Sequence, residues 1–108
     1  MSTRARIAAV QSDETVTCIN LYRDGHVDYA ATCLSWHYDT AAKVKNLLKL
    51  GDLLDLGETP ETSTRYTNGA MSVLYRSLPA FLNAPENEDF DYLYIFKDGQ
   101  WNYMNLNE

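Results

Sequence analysis

Positive charge, cysteine and long apolar runs are all scarce in this sequence. Nine Lys and Arg stand against fifteen Asp and Glu, a net charge of -6. At neutral pH the average field therefore repels phosphate backbones and anionic lipid, and direct binding to nucleic acid is not expected. No stretch approaches the roughly 20 apolar residues that cross a bilayer, and the opening MSTRARIAAVQSDET has no apolar centre of a secretory leader. The expectation is a cytoplasmic protein with no membrane partner. Cys18 and Cys33 are the only thiols, and in a reducing compartment they read as small buried hydrophobes and not as a bridge.

Signatures of chemistry are missing as well. The sequence contains no G-x-x-x-x-G-K-[ST], G-x-G-x-x-G or G-x-S-x-G, so the phosphate-cradling and hydrolase templates are unmatched. Cys33 and His37 stand four apart and could share a helix face, with His26, Cys18 or Asp39 as further members. No C-x-x-C or H-E-x-x-H spacing accompanies them, and each residue has an ordinary structural role. Neither a catalytic residue, a metal site nor a cofactor is expected.

What is present is enough for one core. A chain of 108 residues removes about two-thirds of its unfolded surface from water, so residues 1–108 read as a single domain. RARIAAVQ and VTCINLYR, separated by SDET, read as two strands of a hairpin. After the Asp24-Gly25 turn, the spacing of Val27, Ala30, Ala31 and Leu34 predicts a short helix. DTAAKVKNLLKLG predicts a second: Asp39 or Thr40 to cap it, Ala41, Val44, Leu47 and Leu48 as its apolar stripe, and Gly51 as a left-handed stop. Residues 51–69 read as a loop with one helical turn, too polar after Leu56 to build core. From Ala70, the positions Val73, Leu74, Ser77 and Phe81 predict a third helix, ended or kinked by Pro79. DYLYIFKDGQWNYMNL closes the chain as a hairpin. The order implies an α+β fold in which two or three helices cover one face of an antiparallel sheet of about four strands.

The closing hairpin carries most of the aromatic content. A type I′ turn at Asp98-Gly99 sets Phe96 opposite Trp101, Tyr94 opposite Tyr103 and Tyr92 opposite Asn105. Tyr92, Tyr94, Phe96, Trp101 and Tyr103 then share one face, while Leu93, Ile95, Met104 and Leu106 share the other. If the aliphatic face is the buried one, the rings form a docking stripe for a partner or for a second copy of the chain. The alternatives are that the rings point inward, or that they pair across strands on a solvated face. Eight acids fall in two windows free of Lys and Arg: Asp52, Asp55, Glu58 and Glu61, then Glu86, Glu88, Asp89 and Asp91. Converging in space, they would offer negative potential to a basic groove built for phosphates. Kept apart, they act as solubilising loops.

STRARIAAVQSDETVTCINLYRDGHVD, HYDTAAKVKNLLKLGDLLDLG and a closing hairpin of the YLYIFKDGQW type together resemble a family of small proteins encoded by bacteriophages and prophages. The resemblance covers about the first half of the chain and the last hairpin, and carries over no catalytic residue. It implies a non-enzymatic inhibitor of the anti-CRISPR or anti-restriction type. Such a protein would bind a host defence protein or nucleoprotein complex in the host cytoplasm, through the acidic windows and the aromatic stripe. A small-ligand module stacking a nucleotide or metabolite, and a structural or regulatory homodimer, are the alternatives.

Overall fold

The computed structural model describes residues 3–107. The fold is α+β, but the sheet is larger than expected and mixed. The first hairpin forms from β1 (Ala5–Val10) and β2 (Val16–Leu21), in register from Ala5–Leu21 to Val10–Val16. The last forms from β6 (Tyr92–Lys97) and β7 (Gln100–Asn105). Between them come β3 (Leu53–Asp55), β4 (Thr64–Arg65) and β5 (Val73–Tyr75). All seven belong to one sheet, ordered β4-β3-β2-β1-β6-β7, with β5 also paired to β2. The two hairpins join through a parallel pairing of β1 with β6, and β2 and β3 also run parallel, which an all-antiparallel sheet of four strands would not contain.

β1 and β6 are therefore central, and their burial follows from that position. Ala5 to Ala9 and Tyr92 to Phe96 are buried without alternation, as in strands covered on both faces. On one face, Ile7, Ile19, Leu21, Tyr92, Tyr94 and Phe96 pack under α1 (Val27–His37) and α2 (Ala41–Leu48), against Leu34, Val44 and Leu47. On the other, Ala8, Val16, Cys18, Leu93 and Ile95 pack on Phe81 of α3 (Leu78–Leu82). Helices thus cover both faces and not one.

The second helix obeys its local signals: Thr40 accepts from the Lys43 N–H, and Gly51 takes φ 77°. Two sequence expectations are corrected further along. The segment expected to be a loop contains β3 and β4 around a single 3-10 turn at Pro60–Thr62. The helix expected from Ala70 is replaced by β5 followed by α3. Pro79 lies in the first turn of α3, with Ser77 accepting from the Ala80 N–H. A proline there gives up only an N–H that would have no helical partner, so it starts the helix where an interior proline would end one.

A buried arginine fastens the second face. Arg6 is 2% exposed, and donates from Nε to Asn20 Oδ1 at 2.9 Å, from one terminal nitrogen to Asn87 Oδ1 at 2.7 Å and from the other to the Tyr75 hydroxyl at 3.0 Å. The rings of Tyr75, Phe81 and Phe90 lie 5.4–5.6 Å from the guanidinium carbon. One side chain in the central strand thus ties together β2, β5 and the 3-10 turn at Pro85–Asp89. A guanidinium can leave water at tolerable cost only with such a set of acceptors and ring faces.

Candidate functional site

The second acidic window borders a cleft, which the first reaches only through Leu54. An open cleft of about 510 Å³ is bounded by Leu54 of β3, which lies between Asp52 and Asp55, and by Asp89 and Asp91 at the entry to β6. Tyr22 and Tyr66 line it, with ring centroids 4.3 Å apart, and Phe90 stands 6.2 Å from Tyr22. Arg4 and Arg23 complete the wall. The Arg4 guanidinium lies over the Tyr22 ring at 5.6 Å, and Arg23 is held in a two-point bond to Asp55 at 2.9 and 2.7 Å.

Local structure explains how these groups arrive together. β5 pairs with β2 only at Val16–Cys18, and β3 pairs with it only at Leu21, so the Asn20 N–H falls in a gap between two strands. Asp52 fills that gap, accepting from the Asn20 N–H at 2.9 Å with the residue 6% exposed. Its main chain then accepts from Tyr66 N–H and donates to Ala70, which brings Tyr66 back over Tyr22. Asp91 is tied on the other side, accepting from the Arg4 N–H at 3.0 Å and from the Asn107 side chain at 2.8 Å. Those two bonds, the Arg4 N–H first, hold its carboxyl below the ordinary aspartate range. Next to the cleft, Asp24 goes the other way: partial burial and the neighbouring Asp55 carboxylate raise it.

The eight acids accordingly have unequal roles. Asp52 is a structural acceptor, inaccessible to a partner. Asp55 is neutralised by Arg23, and Glu58 forms a surface pair with His37 at 2.9 Å. Glu86 accepts from the Tyr75 hydroxyl at 3.1 Å, connecting it to the Arg6 network. Glu61, Glu88 and Asp89 are exposed, and of the three only Asp89 borders the cleft. Glu58 and Glu61 line a separate small hollow with His37 and Lys43. The second window therefore reaches the cleft through Asp89 and Asp91, the first contributes only Leu54 to its lining, and the two do not form one continuous anionic surface.

The aromatic stripe is corrected more strongly. The expected register holds, with Phe96–Trp101, Tyr94–Tyr103 and Tyr92–Asn105 as pairs, and Asp98 and Gly99 at φ 52° and 79°. But Tyr92, Tyr94 and Phe96 face inward beneath α1 and α2, each 8% exposed or less. Burial drives the Tyr94 phenol upward, and its hydroxyl donates to the Gly25 carbonyl at 2.7 Å. Trp101 is half-buried, donating from Nε1 to the Tyr38 carbonyl at 2.8 Å. Only Tyr103, 53% exposed, is open to solvent. Rings were compatible with the helix-covered face because the polar tips of Tyr94 and Trp101 found backbone acceptors.

Cys18 and Cys33 are buried and unbridged. Burial pushes the Cys18 thiol up to about 12 and raises Cys33 as well, which keeps both in the unreactive thiol form. His37 is exposed and turned to Glu58, while the Cys33 sulfur lies 3.5 Å from the Gly57 carbonyl. Among the described residues no group of three or more His, Cys, Asp or Glu is arranged to hold a metal ion, and no helix is long and apolar enough to cross a membrane. Tyr22 and Tyr66, the lining of the cleft, were not singled out from the sequence. Tyr22 reads there as an ordinary strand residue and Tyr66 as part of a polar loop, and only the Asp52 turn brings them together.

Comparison with protein-family models, with curated proteins and with solved structures finds no match. The geometry of the cleft is therefore the basis of the functional reading.

Proposed function

We propose that the protein is a non-enzymatic inhibitor of phage type, acting in the host cytoplasm by binding a host defence protein or complex and obstructing a surface made for nucleic acid. The observation that carries this reading is the tyrosine-lined cleft bordered by Asp89 and Asp91 of the second acidic window, with Asp89 exposed on its rim. Arg4 and Arg23 are already engaged by Tyr22 and Asp55. A lysine or arginine from a phosphate-binding groove would find a carboxylate at the rim and ring faces within, the two features that recognise a cation. The net charge of -6 would speed the encounter at low salt.

The test is competition. Purified effector complexes of bacterial immunity are titrated with the protein, and their binding to labelled nucleic acid is followed. Loss of nucleic-acid binding that weakens at least tenfold with Asp89→Lys or Tyr66→Ala, and whose association rate falls with salt, is the expected result. Unchanged nucleic-acid binding across the panel of effectors would sink the proposal. A second reading is favoured by the cleft's volume of about 510 Å³, which is within the range of small-molecule sites. A nucleotide or metabolite stacked on Tyr66 would raise the melting temperature of the protein and leave it indifferent to Asp89→Lys.

A further inference from the structure

β7 ends the sheet without any of the devices that usually close an edge. The opposite end is guarded: β4 has two residues, ends in Arg65, and meets β3 across an irregular register between Leu53 and Asp55. Short strands, charges and bulges of this kind prevent edge-to-edge pairing. β7 is six residues long, pairs regularly with β6 along its whole length, and from Gln100 to Leu106 contains no Asp, Glu, Lys, Arg or Pro. We infer that β7 pairs antiparallel with β7 of a second copy of this chain, extending the sheet across a two-fold axis at Asn102.

The register follows from which backbone groups are already used. Lys97 and Gln100 close a two-residue hairpin, and such a closing pair is hydrogen-bonded. Alternation then assigns the main-chain groups of Gln100, Asn102 and Met104 to β6, and the Leu106 N–H continues the pattern by donating to the Asp91 carbonyl at 2.8 Å. Trp101 and Tyr103 are left with their N–H and C=O directed at the open edge. A two-fold axis at Asn102 sets Trp101 opposite the second copy's Tyr103, and Tyr103 opposite its Trp101, so that both residues of each copy donate and accept. On the same face the four rings become cross-strand neighbours, and on the other Met104 lies opposite the second copy's Gln100. No charged residue opposes a like charge in this register, so the repulsion between two chains of charge -6 is not concentrated at the contact.

A second copy also suits what surrounds the edge. α1 packs on β7, and its last turn carries Trp36, which at 76% is the most exposed large apolar side chain among the described residues. It lies two residues before Tyr38, whose carbonyl holds Trp101. Tyr103 and Met104, 53% and 46% exposed, add apolar surface on the two faces of β7. A partner chain of strong charge would find nothing complementary on this strand. A second, equally uncharged β7 matches it in length, polarity and hydrogen-bonding direction.

The full chain is examined by sedimentation equilibrium over a hundredfold concentration range, with amide hydrogen exchange at both ends of that range. The expected result is a reversible monomer–dimer equilibrium, with the Trp101 and Tyr103 amides gaining protection as the dimer fills. Tyr103→Pro removes an outward donor and leaves the bonds to β6 in place, and Tyr103→Lys sets a cation in each copy's pairing strand. Each raises the dissociation constant roughly 10- to 100-fold, the equivalent of losing two ladder bonds per dimer, with Tyr103→Lys retaining its secondary structure by far-ultraviolet circular dichroism. A wild-type chain that stays monomeric throughout, or a dimer whose strength ignores Tyr103→Lys and whose Trp101 and Tyr103 amides gain no protection, would overturn the inference. So would protection of those amides only on adding another protein, which would make the occupant a foreign strand.

Discussion

β6 and β7 are neighbours in one hairpin, alternate rings with other side chains in the same way, and have opposite fates. Tyr92 to Phe96 of β6 are all buried, whereas no residue of β7 is fully buried. The difference does not come from the residues themselves: Tyr94 and Tyr103 are cross-strand partners, 1% and 53% exposed. It comes from position. β6 is flanked by β1 on one side and β7 on the other and is covered by helices on both faces, while β7 has a strand on one side only. Hydrophobic stabilisation follows area removed from water, and that area is set by neighbours and not by residue type.

The contrast can be broken by substitution. The largest effect is expected at the centre: Phe96→Ala, which opens a cavity between the sheet and the helices, should cost about 3–5 kcal/mol in urea unfolding, against less than about 1 kcal/mol for Tyr103→Ala. Equal losses would mean that the two strands are equally buried in solution. Next is Arg6→Met in the other central strand. It keeps most of the volume but strands the buried Asn87 side-chain oxygen and takes a donor from Asn20 and from the Tyr75 hydroxyl, and should lower stability by on the order of 3 kcal/mol. A neutral result would mean that the arginine network contributes nothing net. Between the strands, a Cβ on Gly99 would meet no atom within 4 Å, so Gly99→Ala feels only its φ of 79°. About 1 kcal/mol is expected there, read from the same unfolding curves.

The smallest effect is a pH dependence at the base of the hairpin. Asp91 is held below the ordinary aspartate range by the Arg4 N–H and then by Asn107. A depressed carboxyl contributes fully above its unfolded value, near 4, and loses that contribution as pH falls through the folded one. Since the carboxylate is largely solvent-screened, the loss should be under about 1 kcal/mol. Urea midpoints taken at pH 7 and again near pH 3 should therefore converge between the wild type and Asp91→Asn. A gap that widens on acidification would reverse the assignment.

Local signals were legible wherever the chain's nearest neighbours in sequence decide the structure. Thr40 and Gly51 bound α2, Asp98-Gly99 sets the hairpin register, and Asp24 marks its turn with φ 64°. Ser77-Leu78-Pro79 was misread because the same proline ends a helix or begins one, according to which residue caps it. The candidate site was half legible. Asp89 and Asp91 could be named from their window, but Asp52 is consumed by the Asn20 N–H, a need created by two strands that each cover part of β2.

By itself the sequence determined the two hairpins, the first two helices and the pairing register of β6 with β7, because turns, caps and alternation act over a few residues. Only the tertiary structure decided that β1 and β6 run side by side, and through that which face holds the rings, why Arg6 is dry, and where the acids and Tyr22 meet Tyr66. Those outcomes depend on contacts between residues as far as 87 positions apart, such as the Arg4 N–H on Asp91. Such contacts arise when apolar surfaces close over one another and every trapped polar group must find a partner, a condition on the whole chain that no short stretch of it can express.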